Sequence, residues 1–242
     1  MSGRRRPSHV NEWFRGLCPG SKGRIPAGRG GSVVSKRIDR EEFEREARAL
    51  GHSRIAGVDE VARAAWAGPM VAAAVILPVA FDATGIRSSK KMTPERRIWA
   101  YERILLGAIS VSVTQVSAAD IDKMGIDTAH MELLRRAVAG LDKQPDYVLV
   151  DYYEIPRLAI PQQAITRGDN LSVSIGAASI VAKVTCDRLM DRYGRMYLGY
   201  GFALNKGYGS EAHLRALAEL GPSPIHRLTV GPVRRSLERR PV

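Results

Sequence analysis

From position 39 onward the apolar residues fall into two rhythms, and these mark out the elements. Phe43, Ala47 and Leu50 lie three and four apart, predicting a short helix over 39–50 with Asp39 as N-cap and Gly51 as stop. Near-continuous apolar runs at about 54–60 and 68–77 predict buried strands, with a third at 107–115. Pro94 opens a helix over about 94–105 that stops near Gly107. Leu133, Leu134, Ala137, Val138 and Leu141 keep helical spacing over 127–141, with Asp127 as the cap. Tyr147-Val148-Leu149-Val150-Asp151 reads as a short buried strand ending in a carboxylate, and 162–166 as a further one. A long helix is expected from Leu171 to about Tyr193, with Ser174, Ala177, Ala178, Ser179 and Ala182 small enough for close packing on a sheet. The last runs from Ser210 to Leu220, ended by Gly221-Pro222. Strands mixed with helices make this an α/β domain.

The stretch Ile55–Arg63 carries the first candidate chemistry. An apolar run ends in two adjacent carboxylates, Asp59 and Glu60, and an arginine follows among small residues. A strand that delivers both acids to a sheet edge suits a divalent-metal site, because hard cations take several carboxylate oxygens. Two strand-end acids paired with nearby arginines would give the same local pattern.

The composition is that of a globular protein, with 45% hydrophobic residues in a chain of 242, enough to bury a core. No apolar stretch approaches the roughly 20 residues of a membrane span. The N-terminus lacks the apolar core of a signal peptide, which places the protein in the cytoplasm. Cys18 and Cys186 lie far apart, with neither metal spacing nor a disulfide framework. The net charge of +12 changes the picture. Arg4, Arg5, Arg6, Arg15, Lys22, Arg24, Arg29, Lys36 and Arg37 face only Glu12 before position 38, so +8 of the total lies there. Residues 1–37 lack apolar periodicity and are expected to form a disordered basic arm, and 38–242 the folded domain. Such charge suits a phosphate backbone, with strongly salt-dependent attraction; a solubilising tail is the plainer alternative.

Several segments resemble, in order, the motifs of the type 2 ribonuclease H family, ribonuclease HII. Gly57-Val58-Asp59-Glu60-Val61, Arg63 and Ala67-Gly68-Pro69 match its opening pattern. Ser88-Ser89-Lys90-Lys91, Val148-Leu149-Val150-Asp151, Arg167-Gly168-Asp169, Ala177–Thr185, Asn205-Lys206-Gly207-Tyr208-Gly209 and Pro224-Ile225-His226-Arg227 follow. The resemblance covers about residues 54 to 234. It implies a ribonuclease-H-like α/β fold, a mixed sheet flanked by helices with a helical C-terminal segment. It also implies an endonuclease that cuts the RNA strand of RNA–DNA hybrids and ribonucleotides embedded in duplex DNA, leaving 5′-phosphate and 3′-hydroxyl ends. Hydrolysis of this kind needs an activated water and neutralised charge, which two metals can supply. The family holds Mg2+ or Mn2+ on four acids, and three of them carry over to Asp59, Glu60 and Asp151. Asp169 and Asp187 compete for the fourth place. On one helix they would stand roughly 27 Å apart, so only one can serve. The family motif selects Asp169, leaving Asp187 to pair with a neighbouring arginine or lysine.

Substrate contacts follow from the same resemblance. A Gly-Arg-Gly segment of the family reads the 2′-hydroxyl, the group that separates RNA from DNA, and its place is taken by Ala62-Arg63-Ala64. Tyr208 matches a tyrosine that packs on the adjoining sugar. Lys90, Lys91, Lys183 and Lys206 are candidates for further substrate contacts. The chain departs from the pattern at Ala62 and Ala64, at Ser88 in place of an acid, at Tyr152 where glycine is usual, and at Arg167 in place of lysine. Backbone recognition by alanines survives if the local dihedrals are ordinary. His226 is expected to hold structure by hydrogen bonds rather than to catalyse. Two other readings stay open: a catalytically weakened hybrid-binding protein of the same fold, and a metal nuclease acting on DNA. The expected state is a monomer.

Overall fold

The structure, a computed structural model, describes residues 39–238. The basic stretch over 1–37, expected as a disordered arm, lies outside them. Five strands form one mixed sheet: β1 (Ile55–Val61), β2 (Met70–Ile76), β3 (Ser110–Val116), β4 (Tyr147–Asp151) and β5 (Gln162–Ile165), in the order β3-β2-β1-β4-β5. β3, β2 and β1 pair antiparallel, whereas β4 lies parallel to both β1 and β5. The helices before β4 are α1 (Glu42–Ala49), α2 (Pro94–Gly107), α3 (Ala118–Met124) and α4 (Ile126–Ala139). After β5 come α5 (Gly168–Leu171), α6 (Val173–Met196), α7 (Phe202–Asn205), α8 (Glu211–Leu220) and α9 (Gly231–Glu238).

Side chains alternate across each strand, so the sheet buries two faces. On one face Ala56, Val58, Ala72 and Ala74 pack with Leu133, Leu134, Ala137 and Val138 of α4. On the other, Val71, Ala73 and Val75 pack with Ala177, Ala178, Val181 and Ala182 of α6. α6 comes so close to β1 that a Cβ on Gly57 would lie 2.0 Å from the Ser174 carbonyl carbon. Glycine there, and small residues on the helix, let a 24-residue helix start against the sheet centre. The start is secured from far away in sequence. Glu44, buried on α1, accepts hydrogen bonds from Ser172 Oγ (2.6 Å) and Ser174 N (2.9 Å). The Arg40 guanidinium donates to the carbonyls of Asp169 (2.8 Å), Asn170 (3.0 Å), Ser172 (3.2 Å) and Ile86.

Two expected caps are corrected. Glu41, not Asp39, is the N-cap of α1; Asp39 accepts from Glu41 N and pairs with Arg45. The N-cap of α4 is Gly125, whose φ is 80°, and Asp127 turns instead to Arg63 at 2.5 Å. The expected helix from Leu171 is α6, which Ser172 caps through Ile175 N and which the short α5 precedes. The helices α3, α7 and α9 and a 3-10 turn at Ser89–Lys91 are additional. Each is short and buries few residues, such as Ile121 and Ala118 on α3 or Val233 on α9, too few to set up a period.

Candidate active site

The register of β1 on β4 pairs Val58 with Val150, so the next residues, Asp59 and Asp151, leave the paired stretch side by side on one face. Their face is that of α6, where the Ser179 hydroxyl hydrogen-bonds Asp59. Asp169 joins them from α5, since Gly168 N donates to Asp151 Oδ1 at 2.6 Å. Glu60, one residue beyond Asp59, points to the opposite face. There its Oε2 lies 3.1 Å from Nε2 of the fully buried His130, an ion-pair distance without hydrogen-bond alignment. The other acids are held separately. Asp59 Oδ1 accepts from Glu60 N at 2.7 Å, and Asp169 Oδ2 from Ser88 Oγ at 2.5 Å. Ser89 continues the link, its Oγ 2.9 Å from that of Ser179. Ser88, where the family has an acid, therefore gives Asp169 a donor instead of another negative charge.

Charge ties the acids together although hydrogen bonds spread them apart. Burial, then Glu60 and Asp151, holds the Asp59 carboxyl well above the ordinary carboxylate range. Burial, then Asp169, raises Asp151, against the opposing pull of Gly168 N and of Lys90. Among the described residues no three His, Cys, Asp or Glu side chains already converge on one point. The donor set still fits hard divalent cations: it offers carboxylate oxygens whose mutual repulsion a cation would relieve.

Beside this edge the loop after β1 is clamped by the C-terminal segments. Ala62 holds φ at 68°, in the left-handed region; Ala64 is not among the positive-φ residues. The condition of ordinary dihedrals therefore fails at the first alanine and holds at the second. Arg227, fully buried, donates to the carbonyls of Ala62 (2.7 Å), Arg63 (2.8 Å) and Gly68 (3.1 Å). The Tyr208 hydroxyl reaches the Ala62 N–H, and the Gly207 carbonyl accepts from Trp66 N at 2.8 Å. Behind Tyr208 runs a chain of two buried histidines. Ser223 N donates to His226 Nδ1 (2.8 Å), so His226 carries its proton on Nε2 and donates it to His213 Nε2 (2.9 Å). His213 Nδ1–H then donates to the Tyr208 carbonyl at 2.9 Å. The expected structural role of His226 takes this form.

The candidate lysines divide. Lys90 and Lys91 are exposed on the 3-10 turn, whose Ser89 and Met92 carbonyls are held by Arg97. Lys183 instead pairs with Asp187 at 2.7 Å, and Lys206 with Asp191. Asp187 also meets Arg97 at 3.2 Å, the pairing expected for it. Sequence reasoning missed Arg40, Ser88, Ser179 and Arg227 as positioning residues. Ser88, Ser179 and Arg227 each carried a signal, standing in motifs already quoted; Arg40 carried none.

The family model for ribonuclease HII matches residues 56–230, a span that takes in every one of these acids. The chain belongs to the ribonuclease HII family. It is accordingly an endoribonuclease. Curated ribonuclease HII proteins agree: that of Geobacter sulfurreducens is 48% identical over 196 residues, covering 81% of this chain and 90% of its own. That of Desulfitobacterium hafniense strain Y51 is 44% identical over 209 residues, covering 85% and 80%. Among solved structures, the ribonuclease H2 of Pyrococcus horikoshii OT3 superposes with a TM-score of 0.65 at 24% identity, over 77% of this chain and 98% of its own. Bst-RNase HIII in complex with Mn2+ gives 0.62 at 20% identity, over 79% and 71%. These two establish the ribonuclease-H-like sheet with its helices. Among the described residues no helix is long and apolar enough to cross a membrane.

Proposed function

We propose that the enzyme hydrolyses the RNA strand of RNA–DNA hybrids and also cuts at ribonucleotides embedded in duplex DNA, leaving 5′-phosphate and 3′-hydroxyl ends. The observation that carries this reading is the electrostatically joined set Asp59, Glu60, Asp151 and Asp169 at neighbouring strand ends and the start of α5. These four acids would hold Mg2+ or Mn2+, and two such ions are proposed. Bound divalent ions would supply an activated water and neutralise charge on the phosphate. Gly168 N and Ser88 keep Asp151 and Asp169 oriented, and Ser179 does so for Asp59. Lys90 and Lys91 approach phosphate from the exposed 3-10 turn. Ala62, Arg63 and Ala64 present backbone to the 2′-hydroxyl, with Tyr208 against the adjoining sugar. Lys183 and Lys206 contribute positive field from within their ion pairs. In this reading residues 38–242 are the catalytic domain, a monomer working in the cytoplasm, and the 1–37 arm adds phosphate contacts.

A second reading, a hybrid-binding protein with weakened catalysis, is favoured by the left-handed φ at Ala62 and Tyr152, where glycine is the relaxed choice. Three labelled duplexes decide, incubated with Mg2+ or Mn2+: an RNA–DNA hybrid, DNA with one ribonucleotide, and all-DNA. Cutting of the first two, abolished by Asp59→Asn, is the expected result. Hybrid binding without any cutting would install the second reading, and cutting of all-DNA would overturn both.

A further inference from the structure

Directly after Asp151 the chain does something costly. Tyr152 holds φ at 67°, at the centre of a turn that Tyr153 N closes by donating to the Asp151 carbonyl at 2.8 Å. Tyr152 N donates to the Ile165 carbonyl at 3.0 Å, so the backbone is pinned in that shape. Glycine would adopt it freely, whereas a tyrosine is strained there. The core gains little from the ring, which is 57% exposed, and Tyr153 beside it is 38% exposed. The two rings meet edge to face with centroids 4.6 Å apart.

What stands under the rings is the candidate site itself. Tyr153 packs edge-on against His130 at 5.4 Å, the histidine beside Glu60. The Arg63 guanidinium lies 6.0 Å from the centre of the Tyr153 ring. An exposed aromatic pair is thus bracketed by Asp151, by Glu60 through His130, and by the arginine of the recognition loop. Resting on the proposed hybrid activity, we propose that Tyr152, Tyr153 and Arg63 form a ledge that receives a sugar–phosphate unit of the hybrid next to the cleaved bond. Bases inside a duplex are stacked and present no free face to an outside ring. The wide, shallow minor groove of an A-like helix exposes sugars. A ring face would lie on a sugar, and Arg63 beside it would meet the attached phosphate.

The test compares Tyr152→Ala, Tyr152→Gly, Tyr152→Phe and Tyr153→Ala with wild type. It measures hybrid binding by fluorescence anisotropy over a salt series, and KM and kcat in Mg2+. Loss of either ring should weaken binding roughly ten-fold, by analogy with other aromatic platforms for nucleic acid. The loss should fall on KM rather than kcat and leave the salt slope as in wild type, because a ring displaces no counterions. Tyr152→Phe should restore affinity. Tyr152→Gly relieves the strain and should melt no lower than wild type, so weak binding by this variant cannot be blamed on misfolding. Tyr152→Ala and Tyr152→Gly binding within two-fold of wild type would overturn the ledge while wild type still cuts hybrids. Wild type that neither binds nor cuts a hybrid would overturn the proposed function and the ledge together.

Discussion

Ala62, Tyr152 and Arg167 lie two, one and two residues from Glu60, Asp151 and Asp169, and each holds φ between 60° and 68°. A left-handed L-residue costs roughly 1–2 kcal/mol. Ala62→Gly should therefore gain about 0.5–1 kcal/mol after allowance for the glycine's greater freedom when unfolded, raising the melting temperature by a few degrees. A calorimetric scan checks this; a variant that melts lower would mean the alanine methyl packs better than its strain costs. At this scale the sequence was half legible. The four acids stood out because each ends an apolar run or sits in a motif. That Ala62 and Tyr152 occupy left-handed positions was hidden, since φ is set by the closing hydrogen bonds of a turn. Ser88 on Asp169 and Arg40 on the Asp169–Ser172 backbone were also hidden, because contacts across 81 and 129 or more residues leave no local period.

Among elements, α8 and the Ser223–Arg227 segment are joined through the two histidines. Burial, then His213, pulls His226 down to about 4 from the usual 6.5. The unfolded chain therefore takes up the proton first as pH falls through 6.5. Stability contributed by this pair is complete above 6.5 and drains away toward pH 4. The added proton would also sit on His226 Nδ1 and face the Ser223 N–H, 2.8 Å away, donor against donor. Melting temperature measured from pH 7 to 4 should fall, and the slope should be shallower in His226→Gln; equal slopes would remove the pair as the cause. The longer elements were readable from the sequence: all five strands, α2, α6 and α8 lie within a few residues of expectation, because each buries enough apolar side chains to set a rhythm. α4 is capped by Gly125 rather than by Asp127, whose carboxylate pairs with Arg63 instead.

For the whole molecule, most of the +12 charge precedes position 38. Deleting residues 1–37 should weaken hybrid binding at low salt and flatten its dependence on salt, each lost phosphate contact lowering the log–log slope by about 0.9. Affinity unchanged by the deletion at low salt would assign the arm no part in binding. The mixed sheet flanked by helices and the helical C-terminal segment agree with the sequence reading, whereas the strand order β3-β2-β1-β4-β5 came from the structure, because pairing between distant strands leaves no local period.

The docking of α1 has a consequence for how the protein is made. Among the described residues the Glu44 carboxylate accepts hydrogen bonds from Ser172 and Ser174, 128 and 130 residues later. At a synthesis rate of about 5–20 residues per second, α1 leaves the ribosome roughly 6–26 s before the chain that satisfies its buried carboxylate. Through that interval the first helix is a solvated amphipathic segment awaiting its seat, and completion of the domain is timed by the arrival of α6.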